Sequence, residues 1–415
     1  MPAASLGPLD ISVQVPYHFR CPISLELMRD PVTASSGQTY DRESIESWLA
    51  TGNTTCPVTR SPLADFTLIP NHTLRRLIQG WCVANRAFGI ERIPTPKLPA
   101  EPGLVRSLLS QASSERNHFG VRLSALRRLK GLARDSEKNR CVILASHARE
   151  VLIRFLFSHA RDPPDSEEFR YESLAILAVL SLSEEESVLV SSDPVRIGYL
   201  VSLLSNSSIQ VRIDSAAVIE SVLVGARSPE LRAQISSVDG IFEGIISILD
   251  CPLSYSRALK IGVKALLALC LTKQHRHKAV SAGAVEALVD RLPDLDERDA
   301  ERALATVELL CRIPSGIAAF AVHAMTVPLL VKSILRISDR ATEHAAGALL
   351  SICSDSEAAQ REAVSAGVLT QLLLLVQSDC TERGKRKAQM LLKLLLHNHN
   401  CWPDDFAANS VDFGA

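Results

Sequence analysis

Apolar residues recur at helical spacing from residue 103 onward, and this pattern itself repeats along the chain. Residues 280–289 (VSAGAVEALV) return as residues 322–331 (VHAMTVPLLV) and as residues 364–373 (VSAGVLTQLL), at steps of 42 residues. Earlier units end in apolar pairs at residues 156–157, 203–204 and 248–249, spaced 47 and 45 residues apart. A repeat of this length predicts stacked helical units that share one continuous core.

Periods of about 40–47 residues with two or three helices each are typical of HEAT and armadillo solenoids. The recurrent Ser-Ala-Gly-Ala-Val turn favours armadillo repeats, and we expect them over residues 104–400. Met325 stands where Gly283 and Gly367 occupy the matching turns, so its turn should avoid positive φ. A solenoid of this kind offers an extended surface for a protein partner.

The N-terminal part has a different pattern, in which two Cys-Pro segments flank one short helix. The segments are residues 21–25 (CPISL) and 56–60 (CPVTR), and the helix carries Ile45, Trp48 and Leu49 on one face. Asp41 is expected to cap this helix. Asn71 should cap a second helix, which carries apolar residues at helical spacing from position 74 to 81. Residues 31–33 and 68–70 read as short strands or extended loops.

The layout of these segments resembles a RING domain whose metal ligands have been removed. Ser24 and Thr59 stand where zinc-binding Cys-x-x-Cys pairs would need a second cysteine. Residues 15–90 hold too few Cys and His for two zinc sites, so we predict no metal and no other cofactor. Hydrogen bonds and salt bridges must then hold the loops.

Residues 15–90 as a whole resemble a U-box, the zinc-free relative of the RING. The resemblance implies a small α+β domain that binds a ubiquitin-conjugating enzyme carrying ubiquitin. The predicted fold is therefore mostly α, a small U-box followed by an α-solenoid of armadillo repeats. Residues 1–14 are expected to be flexible, residues 91–103 to form a proline-rich linker, and residues 401–415 to form a loose tail.

In U-boxes, the conjugating enzyme rests against the two loops and the central helix. The matching positions here are Ile23, Leu25, Trp48, Pro57 and Val58. Apolar anchors ringed by polar residues concentrate binding energy at small interfaces. The alternative is that these side chains are core residues of a small domain, and for Trp48 the two interpretations weigh equally.

Arg60 matches the position of a cation that hydrogen-bonds both the conjugating enzyme and its attached ubiquitin in the U-box family. The planar guanidinium suits this role because it can bond two acceptors at once. The alternative is an internal salt bridge. An acyl-carrying nucleophile is an alternative role for Cys21 and for Cys56, but neither has a base beside it in sequence, so loop anchoring is favoured.

The composition narrows the class of partner. The net charge is −1, which provides no general attraction to nucleic acid or to an anionic membrane. The longest apolar stretch, residues 317–331, is too short to span a bilayer. Scattered cysteines within apolar patterns indicate free thiols in a reducing compartment, so we expect a protein of the cytoplasm or nucleus. The acidic loops and the basic runs 273–278 and 385–387 read as solvated faces, with a partner site as the alternative.

Together these features resemble the plant U-box family with C-terminal armadillo repeats. The resemblance implies a ubiquitin ligase, often of immune and stress signalling, that forms no covalent intermediate with ubiquitin. The box would recruit the charged conjugating enzyme, and the repeats would hold a protein substrate. A homodimer through the U-box is compatible with this family. The alternative function is an armadillo adaptor whose box does not promote transfer.

Overall fold

The computed structural model describes residues 15–86, 99–158 and 166–399, which form two compact units divided between Pro99 and Ala100. The predicted N-terminal segment 1–14 and tail 401–415 lie outside the described residues. The same holds for positions 91–98 of the predicted linker, while its last two positions already belong to a helix. Among the described residues, no single helix is long and apolar enough to cross a membrane, and one pair bent by 120° passes that test only jointly.

The first unit is a small α+β domain built on a three-stranded antiparallel sheet in the order β2-β1-β3. Its elements are β1 (Pro31–Thr33), β2 (Thr39–Asp41), α1 (Arg42–Ala50), β3 (Ile69–Pro70) and α2 (His72–Ala84). Tyr40, Ile45 and Ile78 are fully buried between the sheet and the helices. The strands predicted at residues 31–33 and near residue 69 are confirmed, whereas β2 was not predicted.

The two predicted helix caps have different outcomes. Asn71 caps α2, since its side chain accepts a hydrogen bond from the Leu74 N–H at 3.0 Å. The prediction that Asp41 caps α1 is wrong, because the Asp41 carboxylate makes no cap bond to that helix. It accepts the N–H groups of Arg29 and Asp30 instead, both at 2.7 Å. Two converging donors outside the helix satisfy one carboxylate better than a single helical N–H does.

A buried ion-pair cluster ties α2 to the sheet. The Arg75 guanidinium, almost fully buried, pairs with the Asp30 carboxylate. Arg42, at the start of α1, bonds the other oxygen of Asp30 at 2.7 Å. One carboxylate therefore joins the loop before β1 to both helices. This is the kind of salt bridge that a domain without structural metal requires.

The second unit is a continuous array of helices built from three-helix units. Its helices are α3 (Pro102–Ser113), α4 (Phe119–Asp135), α5 (Glu137–Ala145), α6 (Ala148–Leu156), α7 (Ser166–Leu180), α8 (Glu184–Ser191), α9 (Pro194–Leu203), α10 (Ile209–Gly225), α11 (Pro229–Ser237), α12 (Ile241–Leu249), α13 (Ser256–Cys270), α14 (Arg276–Ser281), α15 (Ala284–Arg291), α16 (Glu297–Leu310), α17 (Pro314–Val322), α18 (Thr326–Ser333), α19 (Asp339–Asp355), α20 (Glu357–Ser365), α21 (Val368–Gln377) and α22 (Glu382–His399). Each long helix packs against the long helix of the next unit, from α4 through α22. One hydrophobic core runs through the whole array, as the repeat pattern predicted.

The short turns between helices follow the sequence pattern. Gly240, Gly283 and Gly367 have φ between 82° and 90°, which favours glycine. Met325 has φ −91°, so the prediction that its turn avoids positive φ is confirmed. The turn with positive φ therefore recurs where the chain has glycine. At Met325 a turn with negative φ takes its place.

Parts of both basic runs are used inside the array. Arg276 is buried and donates to the Cys270 carbonyl at 2.8 Å. Lys387 bonds the Glu308 carboxylate at 3.0 Å, across two helix units. His344 bonds the other Glu308 oxygen at 2.7 Å. The interpretation of these runs as wholly solvated faces is therefore wrong for Arg276 and Lys387, because the stacked helices bring them against internal acceptors.

Candidate functional site

The two Cys-Pro loops of the first unit have the same backbone structure. In loop 1 (residues 21–26), the Cys21 N–H donates to the Glu26 carbonyl and the Leu25 N–H donates to the Cys21 carbonyl, both at 2.8 Å. In loop 2 (residues 56–61), Cys56 and Ser61 form the first bond at 2.9 Å. Arg60 and Cys56 form the second bond at 2.8 Å. Two copies of one tight loop therefore flank α1.

The residue in the fifth position of each loop lies in the left-handed region. Leu25 has φ 61° and Arg60 has φ 59°. Such a conformation is uncommon for residues other than glycine and persists where the surroundings hold it in place. Both side chains are exposed at the surface of the box. The loops thus present leucine at one corner and arginine at the matching corner.

Buried sulphur atoms anchor both loops. The Cys21 sulphur accepts the Asp41 N–H at 3.3 Å, and the Cys56 sulphur accepts the Thr59 N–H at 3.4 Å. The Tyr40 hydroxyl lies 3.0 Å from the Cys56 sulphur. Burial alone would raise the pKa of each thiol, but hydrogen bonds to sulphur outweigh burial in both loops. The pKa of Cys21 is lowered, and that of Cys56 falls to about 6.

The predicted anchor residues differ in exposure. Leu25 and Val58 are exposed by 69% and 49%, which is high for large apolar side chains. Ile23 and Pro57 are half-buried, and Ile23 packs against the core of the box. These residues belong to the two equivalent loops. They supply an apolar surface on both sides of the box's first helix.

Trp48 has a structural contact as well as a partly open face. Its indole N–H donates to the Thr55 carbonyl at 2.9 Å, which ties α1 to the start of loop 2. The ring is half-buried and packs against the core of the box. Trp48 thus joins the helix to one loop while part of its surface stays available.

Arg60 has a free side chain within the part of the chain that the structure describes. Its backbone N–H is used inside loop 2, but its guanidinium has neither an ion pair nor a hydrogen bond there. The internal salt bridge that was the alternative for Arg60 is absent among the described residues. A guanidinium held at a loop corner with all its donors unused can bond acceptors on another molecule.

Comparison with known proteins decides the family. The model of the U-box domain matches residues 15–87, and the model of the plant U-box protein ARM repeat region matches residues 104–411. The chain belongs to the plant U-box proteins with armadillo repeats. It is 62% identical to U-box domain-containing protein 26 of Arabidopsis thaliana, over 99% of this chain and 97% of that protein. It is 32% identical to E3 ubiquitin-protein ligase PUB23 of Arabidopsis thaliana, over 94% of each chain.

Solved structures show the same fold for the array. A chain from a structural study of a phosphorylation switch in the interaction between cadherin and β-catenin aligns with a TM-score of 0.54 at 16% identity. It covers 80% of this chain and 59% of that one. An engineered protein aligns with a TM-score of 0.52 at 24% identity, covering 70% and 68%. At these identities the likeness concerns the fold alone.

The U-box also contains a polar residue that sequence reasoning missed. Tyr40 is fully buried on β2, and its hydroxyl faces the Cys56 sulphur and the Val58 N–H of loop 2. The alternation of polar Thr39 and Asp41 with aromatic Tyr40 is a strand signal in the sequence that could have located β2. Nothing in the local pattern shows that the hydroxyl reaches a loop sixteen residues away. Among the described residues, no cluster of three or more His, Cys, Asp or Glu could hold a metal ion.

Proposed function

We propose that this U-box protein is a ubiquitin ligase that docks a ubiquitin-charged conjugating enzyme on loop 1, loop 2 and α1. The U-box, the armadillo repeats and relatives named E3 ubiquitin-protein ligase support ubiquitin transferase activity. The observation that carries the docking proposal is the pair of equivalent loops. They expose Leu25 and Val58 around half-buried Ile23 and Pro57, which suits a small interface with central apolar anchors.

In the proposed mechanism, ubiquitin passes directly from the conjugating enzyme to a substrate lysine. The Arg60 guanidinium bonds acceptors on the conjugating enzyme and on ubiquitin, and so holds the thioester in one conformation. A fixed thioester spends more time in a geometry that an amine can attack, which raises the rate without new chemistry by the ligase. The buried Cys21 and Cys56 sulphurs serve as loop anchors in this mechanism, because both already accept hydrogen bonds.

The armadillo repeats are proposed to hold the protein substrate. Their long helices pack side by side, and the exposed sides of these helices form an extended surface that one peptide segment could contact over several units. The alternative is an adaptor with a non-catalytic box. It predicts binding of partners by the repeats without any discharge of ubiquitin.

The deciding experiment is single-turnover discharge of ubiquitin from a panel of conjugating enzymes to free lysine, with and without the full-length protein. We expect acceleration with at least one enzyme of the panel. Discharge at the uncatalysed rate with every enzyme, despite an intact circular dichroism spectrum, would favour the adaptor.

A further inference from the structure

The hydroxyl of Tyr40 lies at the junction between the sheet and loop 2. Tyr40 is fully buried, and its oxygen lies 3.0 Å from the Cys56 sulphur and 3.4 Å from the Val58 backbone nitrogen. Cys56 opens loop 2, and Val58 carries one of its exposed apolar side chains. One side-chain oxygen therefore contacts two residues of the proposed docking loop.

The direction of these bonds follows from the donor inventory. The Val58 N–H can only donate, so the Tyr40 oxygen accepts that bond. The single hydroxyl hydrogen of Tyr40 is then left to donate to the Cys56 sulphur. The Thr59 N–H donates to the same sulphur at 3.4 Å. In this arrangement the sulphur accepts two hydrogen bonds.

The pKa shifts of the two side chains agree with this assignment. Burial, first, and the bond to Cys56 raise the pKa of Tyr40 far above its usual range, so the hydroxyl keeps its hydrogen. Burial opposes ionisation of Cys56, but the nearby Ser36 hydroxyl and the hydrogen bonds from Thr59 and Tyr40 together lower its pKa to about 6. The Ser36 hydroxyl has no conventional hydrogen-bond partner among the described residues, and it adds to the polarity around the sulphur.

The neighbouring residue on β2 holds the other loop in a similar way. The Asp41 N–H donates to the Cys21 sulphur of loop 1 at 3.3 Å. Two consecutive residues of one strand therefore reach the sulphur atoms of both loops. The Asp41 link uses the backbone and persists whatever the side chain, whereas the Tyr40 link depends on one hydroxyl group.

We propose that Tyr40 is a positioning residue for conjugating-enzyme binding, because its hydroxyl holds loop 2 in the conformation that presents Pro57 and Val58. This inference rests on the proposed function of the U-box. A loop that loses this bond must be reordered when the partner binds. The apparent Kd then rises in inverse proportion to the fraction of molecules that still hold loop 2 in the docking conformation.

The test variant is Tyr40→Phe, which removes only the oxygen and keeps the buried ring. The matched control is Thr39→Val, which removes a hydroxyl from the same strand, where it bonds Thr33 at 2.9 Å and Asn71 at 3.5 Å but neither Cys-Pro loop. We expect Tyr40→Phe to raise the Kd for the conjugating enzyme about tenfold, the scale of one buried hydrogen bond. Discharge at saturating ligase should recover to near the wild-type rate. The control should bind like the wild type.

Amide hydrogen exchange on the full chain provides a readout that a general loss of stability would not give. In Tyr40→Phe, exchange should quicken in residues 56–61 and stay unchanged in residues 21–26 and in α2. A uniform rise over the box, or unchanged exchange in loop 2, would overturn the inference. This arm needs no partner, so it tests whether Tyr40 holds loop 2 in place separately from the proposed function.

Cys56 provides a second variant from the other side of the bond, should Tyr40→Phe not fold. Cys56→Ala removes the acceptor of both the Tyr40 and the Thr59 bonds and should weaken binding at least as much as Tyr40→Phe does, while Cys56→Ser keeps an acceptor and should weaken it less. The double variant Tyr40→Phe/Cys56→Ala should bind no more weakly than Cys56→Ala alone. Additive losses would show that the two residues act separately and would overturn the proposal. Wild-type affinity in Tyr40→Phe, beside lost binding in Ile23→Ala, would overturn it while leaving the proposed function intact.

Discussion

Leu25 and Arg60 occupy equivalent positions in the two loops of the U-box. Each donates its backbone N–H to a cysteine carbonyl four residues earlier, at 2.8 Å, and each has φ close to +60°. The backbone is the same while the side chains differ in chemistry. Loop 1 therefore presents an apolar contact where loop 2 presents a cation, and the two loops can serve different parts of one docking event.

The apolar anchors should dominate binding of the conjugating enzyme. Ile23→Ala or Pro57→Ala is expected to reduce affinity at least thirtyfold, because loss of a central anchor typically costs ~2 kcal/mol or more. Isothermal titration with the full-length protein measures this. Leu373→Ala, an exposed apolar residue on α21, is the matched control and should bind like the wild type. Unchanged affinity of Ile23→Ala with an intact circular dichroism spectrum would contradict the assignment.

Arg60→Ala should separate binding from activation. Its guanidinium is free and lies at a loop corner, so removing it leaves the apolar anchors in place and affinity changes little. Discharge to free lysine at saturating ligase should fall much more than affinity, because the thioester is no longer held for attack. The control is Arg76→Ala, an exposed arginine on α2.

Two outcomes would reject the role given to Arg60. If Arg60→Ala discharges ubiquitin at the wild-type rate, Arg60 has no role in activation. A proportional fall of affinity and discharge would make it a docking contact only. Tyr40→Phe is expected to show the opposite behaviour, with weaker binding and recovered discharge at saturation.

The U-box should fold without metal and depend on its buried ion pairs. Arg75→Met leaves the Asp30 carboxylate without its most buried partner, so we expect a loss of ~3 kcal/mol in the free energy of unfolding. Urea unfolding of the full chain, followed by tryptophan fluorescence, measures this, since Trp48 and Trp81 both lie in the U-box. Arg76→Met on the same helix is the control and should change stability by less than ~0.5 kcal/mol.

A chelator should leave the unfolding midpoint of the U-box unchanged. Ser24 and Thr59 stand at the positions where a zinc ligand would be needed, and both loops are closed by hydrogen bonds. Elemental analysis of the purified protein provides the direct check. Stoichiometric zinc, or unfolding on addition of chelator, would refute the metal-free interpretation.

The armadillo array should lose stability in acid partly through Glu308. Burial opposes its ionisation, but hydrogen bonds from His344 and Lys387 lower its pKa from 4.5 to about 2. The unfolded chain therefore binds more protons between these values, so the contribution is complete above about pH 4.5 and is lost as pH falls to about 2.

Glu308→Gln should flatten this part of the stability profile, as measured by chemical unfolding at a series of pH values. Glu185→Gln, an exposed carboxylate without an ion pair among the described residues, is the control and should keep the wild-type slope. An equal slope in Glu308→Gln and the wild type would show that other groups carry the acid sensitivity.

The sequence by itself determined the features that depend on local pattern. Apolar spacing with a step of 42 residues predicted the stacked helices, since an amphipathic helix must bury its apolar side against a neighbour. Asn71 predicted the start of α2, because a side-chain oxygen at the N-cap position accepts a hydrogen bond from a helical N–H. Ser24 and Thr59 predict a box without zinc, because neither side chain is a usual zinc ligand.

Only the tertiary structure decided which distant groups meet. Tyr40 bonds Cys56 sixteen residues away, and Lys387 bonds Glu308 across seventy-nine residues. The tertiary structure also decided that the Asp41 carboxylate bonds the N–H groups of Arg29 and Asp30 and not those of α1. A polar side chain in a core takes whichever partner the packing of several elements brings within about 3 Å. That distance depends on the relative placement of strands and helices, which hydrophobic spacing along a single element does not specify.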